Sequence, residues 1–173
     1  CFSFYPSKNM TVGGDGGMMV TNDRKTAEKA SKLRNCGRKS WNIQDVVGYT
    51  ARLNTVNAAI GRVQLKYLDE WNARRIRNAE VYDRLLSDIG EVTLPPRGGN
   101  GTRPVYHLYV IRTKSRDSLR KFLESNGIQC GIYYALPIHL QPIYREMFGL
   151  KKGAFSLSEE LCSTCLSLPM FPD

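Results

Sequence analysis

The sequence predicts a mixed α/β chain of two parts, separated by a flexible segment. In the first part, two short runs of strand-forming residues flank a glycine-rich turn, and a helical pattern follows them. The second part places a strand, a helix and a strand in a row, which is typical of a compact α+β unit. Between the parts lies Pro95-Pro96-Arg97-Gly98-Gly99-Asn100-Gly101, where proline stiffens and glycine loosens the chain. We therefore predict a boundary that separates residues 1–95 from residues 96–173.

Composition excludes several classes of protein. The chain has 173 residues, of which 42% are apolar and 24% charged, and these globular values exclude a disordered tail. No run of 18 apolar residues occurs, so we expect no membrane span. Five cysteines without framework spacing favour a reducing, cytoplasmic setting. Cys162 and Cys165 have no second pair and no nearby histidine, so we interpret them as a buried helix face, not as metal ligands.

The first part is predicted to be a strand, turn, strand and helix unit. Phe2–Tyr5 and Met18–Val20 are runs of strand-forming residues, and the glycine-rich residues 13–17 make a tight connection between them. Asn22-Asp23 is a suitable N-cap for a helix over roughly Lys25–Asn35. Because the chain begins with Cys in the middle of a strand pattern, we expect it to be an internal piece of a longer protein.

One long helix is predicted over about Asn54–Leu86, after an irregular stretch from Trp41 to Ala51. Its apolar residues recur every three or four positions, as one face of a helix requires. At about 1.5 Å per residue the helix would be near 50 Å long, so we expect it to bridge two domains. The apolar positions are Val56, Ile60, Val63, Tyr67, Trp71, Ala79, Tyr82 and Leu86.

The second part is predicted to contain two strands and three helices. Tyr106–Arg112 and Ile128–Tyr134 have the composition of strands, and a helix from Ser115 to Asn126 lies between them. Gln141–Phe148 and Ser156–Cys165 are two further short helical candidates.

Lys8 is the most informative candidate residue. It follows a predicted strand and Pro6 and precedes the glycine-rich turn, so its side chain emerges at a strand end and can be aimed into a cleft. A lysine amine is a nucleophile only when desolvation or neighbouring cations lower its pKa. Taken alone, a loop lysine is more often a solvated surface residue. Spacing alone therefore does not assign Lys8 a role.

Short motifs follow one another along essentially the whole chain. Their order is more specific than any single motif. They are Ser3-Phe4-Tyr5-Pro6-Ser7-Lys8-Asn9, Gly14–Gly17, Val20–Asp23, Leu33–Arg38, Gly48–Leu53, Ala58–Ala59, Gln64–Leu65, Leu68–Trp71, Arg74–Arg75, Ala79–Tyr82, Tyr106–Tyr109, Gly127–Ile128, Pro137–Pro142 and Leu166–Pro169. In this order they resemble the DegT/DnrJ/EryC1/StrS family of sugar aminotransferases.

The resemblance implies the α/β fold of the aspartate aminotransferases, which is fold type I of the pyridoxal-phosphate transferases. Residues 1–95 would be the C-terminal part of the large domain, with the end of its mostly parallel sheet and the long bridging helix. Residues 96–173 would be a small α+β C-terminal domain, incomplete at its end. The family's residues that stack on the cofactor ring would precede Cys1. We therefore expect this chain alone to hold pyridoxal 5'-phosphate poorly and to be inactive.

The resemblance also implies cofactor-binding roles. Lys8 corresponds to the lysine that holds pyridoxal phosphate covalently and moves protons during the reaction. Ser3 corresponds to a hydroxyl that binds the cofactor phosphate, although a strand serine more often bonds nearby backbone. Thr50 stands where the family's Gly-Tyr-Asn-x-Arg pattern has an Asn that reaches the partner subunit's phosphate. A threonine hydroxyl can donate to phosphate but is shorter than an Asn amide.

Four further residues are candidates for binding substrate. Arg52 keeps the family's arginine, whose planar fork suits a carboxylate or phosphate, and the alternative is a surface ion pair. Tyr5 and Tyr133 stand where many members have histidine. His139 lies in a stretch that in the family is beside the substrate nucleotide, while a structural role is as probable for a lone histidine. His107, inside a predicted strand, is interpreted as structural.

The implied reaction transfers an amino group from glutamate or glutamine to a keto-sugar carried on a nucleotide, for polysaccharide, cell-envelope or antibiotic sugars. The implied partner is a second copy, in a homodimer with shared active sites. A deoxysugar dehydratase relative is an alternative, and Lys8 argues against it because such relatives usually carry histidine there. A second alternative is a non-catalytic oligomerisation or nucleic-acid-binding module, because the net charge is +9 and residues 24–39 are rich in basic side chains. An anionic nucleotide-sugar explains this charge as well, so we expect no nucleic-acid or membrane partner.

Overall fold

In a computed structural model that describes residues 1–172, the chain forms two compact units. The first unit is Cys1–Trp71, and the second begins at Asn72. The sheets of the described residues are three antiparallel pairs of strands. No helix among residues 1–172 is both long and apolar enough to cross a bilayer.

The first unit begins with the predicted strand, turn, strand and helix. Strand β1 (Phe2–Ser3) pairs antiparallel with β2 (Gly17–Met18), and both strands are shorter than predicted. Helix α1 (Arg24–Leu33) follows. The carboxylate of Asp23 caps it by accepting hydrogen bonds from the backbone N–H groups of the second and third residues after it. The predicted helix and its N-cap are confirmed.

A small hairpin replaces part of the stretch predicted to be irregular. Strand β3 (Arg38–Ser40) pairs antiparallel with β4 (Ile43–Gln44). The guanidinium carbon of Arg38 lies 5.5 Å from the ring centroid of Trp41 in the turn, a cation–π contact across the hairpin. Strands of two or three residues are too short to show an alternating pattern, so the sequence could not reveal them.

The prediction of one long helix is wrong. Helix α2 (Thr55–Gln64) ends, and α3 (Leu68–Leu86) begins after a tight turn. In this turn the N–H of Lys66 donates to the carbonyl of Val63 at 3.1 Å, and the N–H of Tyr67 donates to Gln64 at 3.0 Å. These are hydrogen bonds to the third preceding residue, where an α-helix would use the fourth. The turn preserves a spacing of three to four residues, so the apolar periodicity continues across it.

Among the described residues, the second unit contains one strand pair, four α-helices and a 3₁₀ turn. Strand β5 (Tyr109–Arg112) pairs antiparallel with β6 (Cys165–Leu168), in a register that places Tyr109 opposite Leu168. Helix α4 (Arg116–Ser125) follows β5. Helices α5 (Pro142–Phe148) and α6 (Ser156–Thr164) precede β6, and the remainder of α3 belongs to this unit. The three predicted short helices are confirmed.

Two predictions for the second unit need correction. The strand predicted over 128–134 is wrong: this stretch makes a single β-bridge, from Gly131 to Ser167. The partner of β5 is instead β6. This strand begins directly after α6, so the sequence shows no break between the helical pattern and the strand. Cys165 is consequently the buried first residue of a strand and does not extend the face of α6. Within the described chain no group of residues is arranged to hold a metal.

The division between the two compact units falls between Trp71 and Asn72. The physical reason is that α3 packs on the strands of the second unit. Ala79 of α3 is fully buried in one cluster with Tyr109, Ile111 and Leu166. The division into a cofactor-binding domain (1–95) and a small C-terminal domain (96–173) stays a prediction.

A buried hydrogen bond joins α3 to β5. The hydroxyl of Tyr109 donates to the carboxylate of Asp83 at 2.6 Å, and Arg97 Nε donates to its other oxygen at 2.8 Å. Tyr109 is fully buried and Asp83 is nearly so. Burial, together with the neighbouring carboxylate, raises the pKa of Tyr109 above its usual range. The phenol therefore stays protonated and keeps donating this bond.

We predict that Asp83→Ala lowers the free energy of unfolding by about 1–3 kcal/mol, because it leaves the Tyr109 hydroxyl buried without its acceptor. Urea unfolding measures the loss, and Asp88→Ala, an exposed residue just beyond the same helix, is the control. In a Tyr109→Phe background the cost of Asp83→Ala should shrink. Equal effects of Asp83→Ala and Asp88→Ala would contradict this account.

Candidate active site

The turn that carries Lys8 is held by backbone hydrogen bonds. The N–H of Lys8 donates to the carbonyl of Tyr5 at 2.9 Å, which closes a four-residue turn with Pro6 in its second position. Just before it, the N–H of the buried Phe4 donates to the carbonyl of Gly16 at 2.8 Å, where the β1–β2 connection returns. Lys8 itself is half-buried. The chain therefore fixes the backbone from which the Lys8 amine extends.

The rest of the β1–β2 connection is fastened to α2. Val12 is fully buried, and a Cβ added to Gly61 of α2 would lie 3.0 Å from one of its methyl carbons. A glycine at 61 thus lets the helix approach the connection closely. Beside this contact, the N–H of Thr11 donates to Oε1 of Gln64 at 2.9 Å. These contacts hold the segment that follows Lys8.

Ser3 and Tyr5 lie on the same strand and turn as Lys8. Ser3 is an exposed residue of β1, and its hydroxyl accepts a long hydrogen bond of 3.4 Å from the N–H of Tyr5. This is the bond to nearby backbone that a strand serine commonly makes. Tyr5 is 55% exposed. The structure thus brings three predicted site residues onto one short segment, and their roles stay predictions.

A second group of candidate residues lies where the loop after α1 pairs with residues 48–52. Asn35 and Thr50 form an antiparallel bridge. On either side of it, the N–H of Cys36 donates to the carbonyl of Tyr49, and the N–H of Ala51 donates to Arg34, both at 2.9 Å. This pairing sets the backbone position of Thr50 and of Ala51, the residue that precedes Arg52.

Two glycines permit this close pairing. Gly37 has φ +70°, and a Cβ at this position would overlap the carbonyl oxygen of Val46. A Cβ at Gly48 would overlap the backbone nitrogen of Gly37. Only residues without a side chain allow the two backbones to touch in this way. The loop after α1 is therefore locked against the segment that carries Thr50 and Arg52.

Thr50 and Arg52 are both exposed, and each contacts the loop after α1. The hydroxyl oxygen of Thr50 is 3.4 Å from Sγ of Cys36. Nη1 of Arg52 donates to Oδ1 of Asn35 at 2.9 Å. Sequence reasoning did not single out Asn35, because it lies 17 residues from Arg52 and no spacing rule links them.

The other two predicted site residues belong to the second unit. His139 lies in a 3₁₀ turn and borders an apolar groove of about 910 Å³. Tyr133, which is 53% exposed, borders an adjacent groove of about 430 Å³. Both grooves include the side chains of Tyr134, Leu161 and Cys162.

His139 has a defined structural partner. Its ring is buried, and Nε2 lies 2.9 Å from a carboxylate oxygen of Glu159 on α6. The same oxygen accepts a hydrogen bond of 2.7 Å from the N–H of Gly153, and Phe155 packs against the histidine ring. The hydrogen bond with His139, assisted by the one from Gly153, holds the pKa of Glu159 below its usual range. The role of His139 in binding substrate stays a prediction.

Comparison with solved structures identifies the fold. The structure of DesV from S. venezuelae superposes with a TM-score of 0.93 at 38% sequence identity, over 99% of this chain and 46% of that one. A DegT DnrJ EryC1 StrS aminotransferase from Brucella abortus gives 0.88 at 35% identity, over 98% and 45% of the respective chains. The class is therefore that of the fold type I sugar aminotransferases, and the predicted fold class is confirmed.

Sequence comparison identifies the family. The model of the DegT/DnrJ/EryC1/StrS aminotransferase family matches residues 1–173, and the chain belongs to this family. A relative from Geobacillus stearothermophilus, named a pleiotropic regulatory protein, is 41% identical over 99% of this chain and 46% of its own length. A dTDP-3-amino-3,4,6-trideoxy-alpha-D-glucose transaminase from Streptomyces venezuelae is 38% identical over 99% and 45%. A UDP-N-acetyl-3-dehydro-alpha-D-glucosamine 3-aminotransferase from Acidithiobacillus ferrooxidans is 36% identical over 100% and 46%.

The chain thus spans about half the length of the curated relatives it matches. Enzymes of this family depend on pyridoxal phosphate, as the resemblance implies. One similar structure, NtdA from Bacillus subtilis, contains the cofactor PMP and superposes with a TM-score of 0.84 at 27% identity, over 98% of this chain and 40% of that one.

The side chains of the predicted site carry the chemical groups that binding pyridoxal phosphate requires. Lys8 supplies a primary amine on a backbone fixed by a turn, as covalent attachment of an aldehyde requires. Ser3 and Thr50 supply exposed hydroxyls, which can donate to phosphate oxygens. Arg52 supplies a cationic fork for a further anionic group.

We predict that Glu159→Gln makes the free energy of unfolding depend less steeply on pH in the acidic range. The folded state holds the pKa of Glu159 below its ordinary value of 4.5, so the carboxylate's stabilising contribution is complete above that pH and is lost as pH falls through the lower folded pKa. Urea unfolding at a series of pH values should show a lower stability for the variant at neutral pH and a flatter fall as the pH drops below about 5.

Glu160→Gln is the matched control, because it makes the same change on the exposed neighbouring residue of α6. It should keep the acid dependence of the parent. An acid dependence of Glu159→Gln that is as steep as the parent's would show that this carboxylate does not act through its partners in the folded state.

Proposed function

We propose that the whole protein is a pyridoxal-phosphate-dependent aminotransferase that moves an amino group onto a keto-sugar carried on a nucleotide. The observation that carries this proposal is the match of the entire chain to the family, with Lys8 of the lysine motif on an anchored turn. The dTDP-linked and UDP-linked sugars in the names of two relatives support a nucleotide-sugar substrate. Glutamate or glutamine is the proposed amino donor.

Lys8 is the proposed catalytic residue. Pyridoxal phosphate, when bound, supplies the electron sink for the reaction. Nζ of Lys8, in its neutral form, is nucleophilic and can hold the cofactor covalently. Once the amino donor has displaced it, the same nitrogen can carry a proton to and from the substrate carbon. The turn closed by the Tyr5 carbonyl keeps this nitrogen on a fixed base.

The proposed phosphate ligands are Ser3 and Thr50. Both hydroxyls are exposed, and in the proposed dimer Thr50 serves the cofactor of the other subunit. Arg52 is the proposed ligand for an anionic group of a substrate. Tyr5 and Tyr133, with exposed rings, and His139 are proposed to shape the sugar and nucleotide end of the site.

We propose a homodimer as the functional assembly. The segment that leads to Thr50 exposes large apolar side chains: Trp41 is 82%, Val47 90% and Tyr49 70% exposed. Exposed apolar residues gathered in one segment are typical of a surface that another protein surface covers. A dimer that buries this segment would bring Thr50 to the subunit interface, as its proposed role requires.

We predict that Lys8→Ala, made in the whole protein, abolishes the near-ultraviolet and visible absorbance of covalently bound cofactor. Transamination from glutamate to a nucleotide keto-sugar should fall by at least about 10²-fold, because the variant lacks the group that moves the proton. Lys25→Ala, on the exposed first turn of α1, is the control and should keep both properties. If Lys8→Ala retains both the absorbance and the activity, the proposed function is wrong.

A further inference from the structure

We propose that Asn35 is a positioning residue for Arg52. On this account, which rests on the proposed function, the Asn35 amide orients the guanidinium without neutralising it, so that its charge stays available to an anionic group of a substrate. The juxtaposition that suggests this is the hydrogen bond of 2.9 Å from Nη1 of Arg52 to Oδ1 of Asn35.

The backbone of Asn35 is fixed by the way α1 ends. The N–H groups of Asn35 and Gly37 donate to the carbonyl of Lys32 at 3.0 and 2.9 Å. Cys36 and Gly37 both have left-handed backbone conformations, with φ of 59° and 70°. The chain therefore reverses sharply after α1, and Asn35 is half-buried at the reversal. The side-chain oxygen of Asn35 is carried by this fixed backbone and therefore has little freedom to move.

The pairing with residues 48–52 brings the two side chains together. Asn35 is directly opposite Thr50 in the bridge, and Arg52 lies two residues further along the chain, next to Ala51, whose N–H donates to the carbonyl of Arg34. An arginine side chain is long enough to reach the amide oxygen of Asn35 from this position. The contact thus joins two backbone segments that hydrogen-bond to each other on either side of the bridge between Asn35 and Thr50.

The chemistry of the pair differs from that of an ion pair. A guanidinium has five N–H donors, and the bond to Asn35 uses one nitrogen of the fork. The amide is neutral, so Arg52 keeps its full positive charge, whereas a carboxylate at this position would offset that charge. A fork already held in one orientation loses less conformational entropy when it binds an anion. Asn35 therefore orients Arg52 and leaves its charge for the substrate.

The anionic group has two possible sources. Both present negatively charged oxygens that a guanidinium can bind. One is the carboxylate of the amino donor, and the other is the diphosphate of the nucleotide-sugar. The two can be separated experimentally because the donor half-reaction requires no nucleotide.

The test compares Asn35→Ala, Asn35→Asp and Arg52→Ala in the whole protein loaded with pyridoxal phosphate. The concentration dependence of cofactor conversion by glutamate measures carboxylate binding, and calorimetry with UDP and dTDP measures diphosphate binding. Asn22→Asp is the matched control: it adds the same charge before the start of α1, at the opposite end from Asn35 of a ten-residue helix about 15 Å long by the helical rise. Thermal unfolding of each variant reports folding separately.

We expect one of the two anions to bind about 3–10-fold more weakly to Asn35→Ala and more than about 10-fold more weakly to Asn35→Asp, while Asn35→Asp unfolds at or above the parent's temperature. Asn22→Asp should bind as the parent does. A merely structural role predicts the opposite order, because aspartate keeps the acceptor and would restore function.

This inference alone is overturned if Asn35→Asp binds glutamate, UDP and dTDP as the parent does, while Arg52→Ala loses the binding of glutamate or of the nucleotides. A parent protein that neither converts its cofactor with glutamate nor binds a nucleoside diphosphate overturns the proposed function, and this inference with it. Loss of glutamate binding identifies the carboxylate as the group that Arg52 holds, and loss of UDP or dTDP binding identifies the diphosphate.

Discussion

The packing of Val12 against Gly61 is the contact on which the proposed catalytic turn depends. It fastens the connection between β1 and β2 to α2, and the hydrogen bond from Thr11 to the side chain of Gln64 lies beside it. A flexible glycine-rich connection would otherwise let Lys8 sample many positions, and a catalytic group has to be held in place to act efficiently. The fixed backbone is thus the physical basis for assigning chemistry to a loop lysine.

The same construction recurs where α1 ends. There, too, glycine allows a close approach between two segments, and the pairing that results sets the backbone positions of functional residues. Gly37 and Gly48 bring the loop after α1 against the segment that carries Thr50 and Arg52. In both places the sequence uses small residues to fix the backbone and leaves the polar side chains exposed or half-buried. Such exposed, positioned groups suit a site that is completed by further protein surface and by ligands.

Local features that carry their own physical cause could be predicted from the sequence. Asp23 predicted the start of α1, because a carboxylate there satisfies free N–H groups. Periodicity could not distinguish one long helix from α2 and α3, since the turn at residues 65–67 preserves the spacing. Strand β6 was missed because its pairing with β5 is a long-range contact. For the site, the motif around Lys8 carried the prediction, whereas Asn35 became visible only through its hydrogen bond to Arg52.

The central claim is that the Lys8 amine forms the covalent bond to pyridoxal phosphate. The most direct measurement is reduction of the loaded whole protein with borohydride, which converts such a bond into a stable one, followed by mass spectrometry of its peptides. The account predicts the added pyridoxyl phosphate mass on the peptide that contains Lys8. The mass on any other lysine, with Lys8 unmodified, would contradict the account.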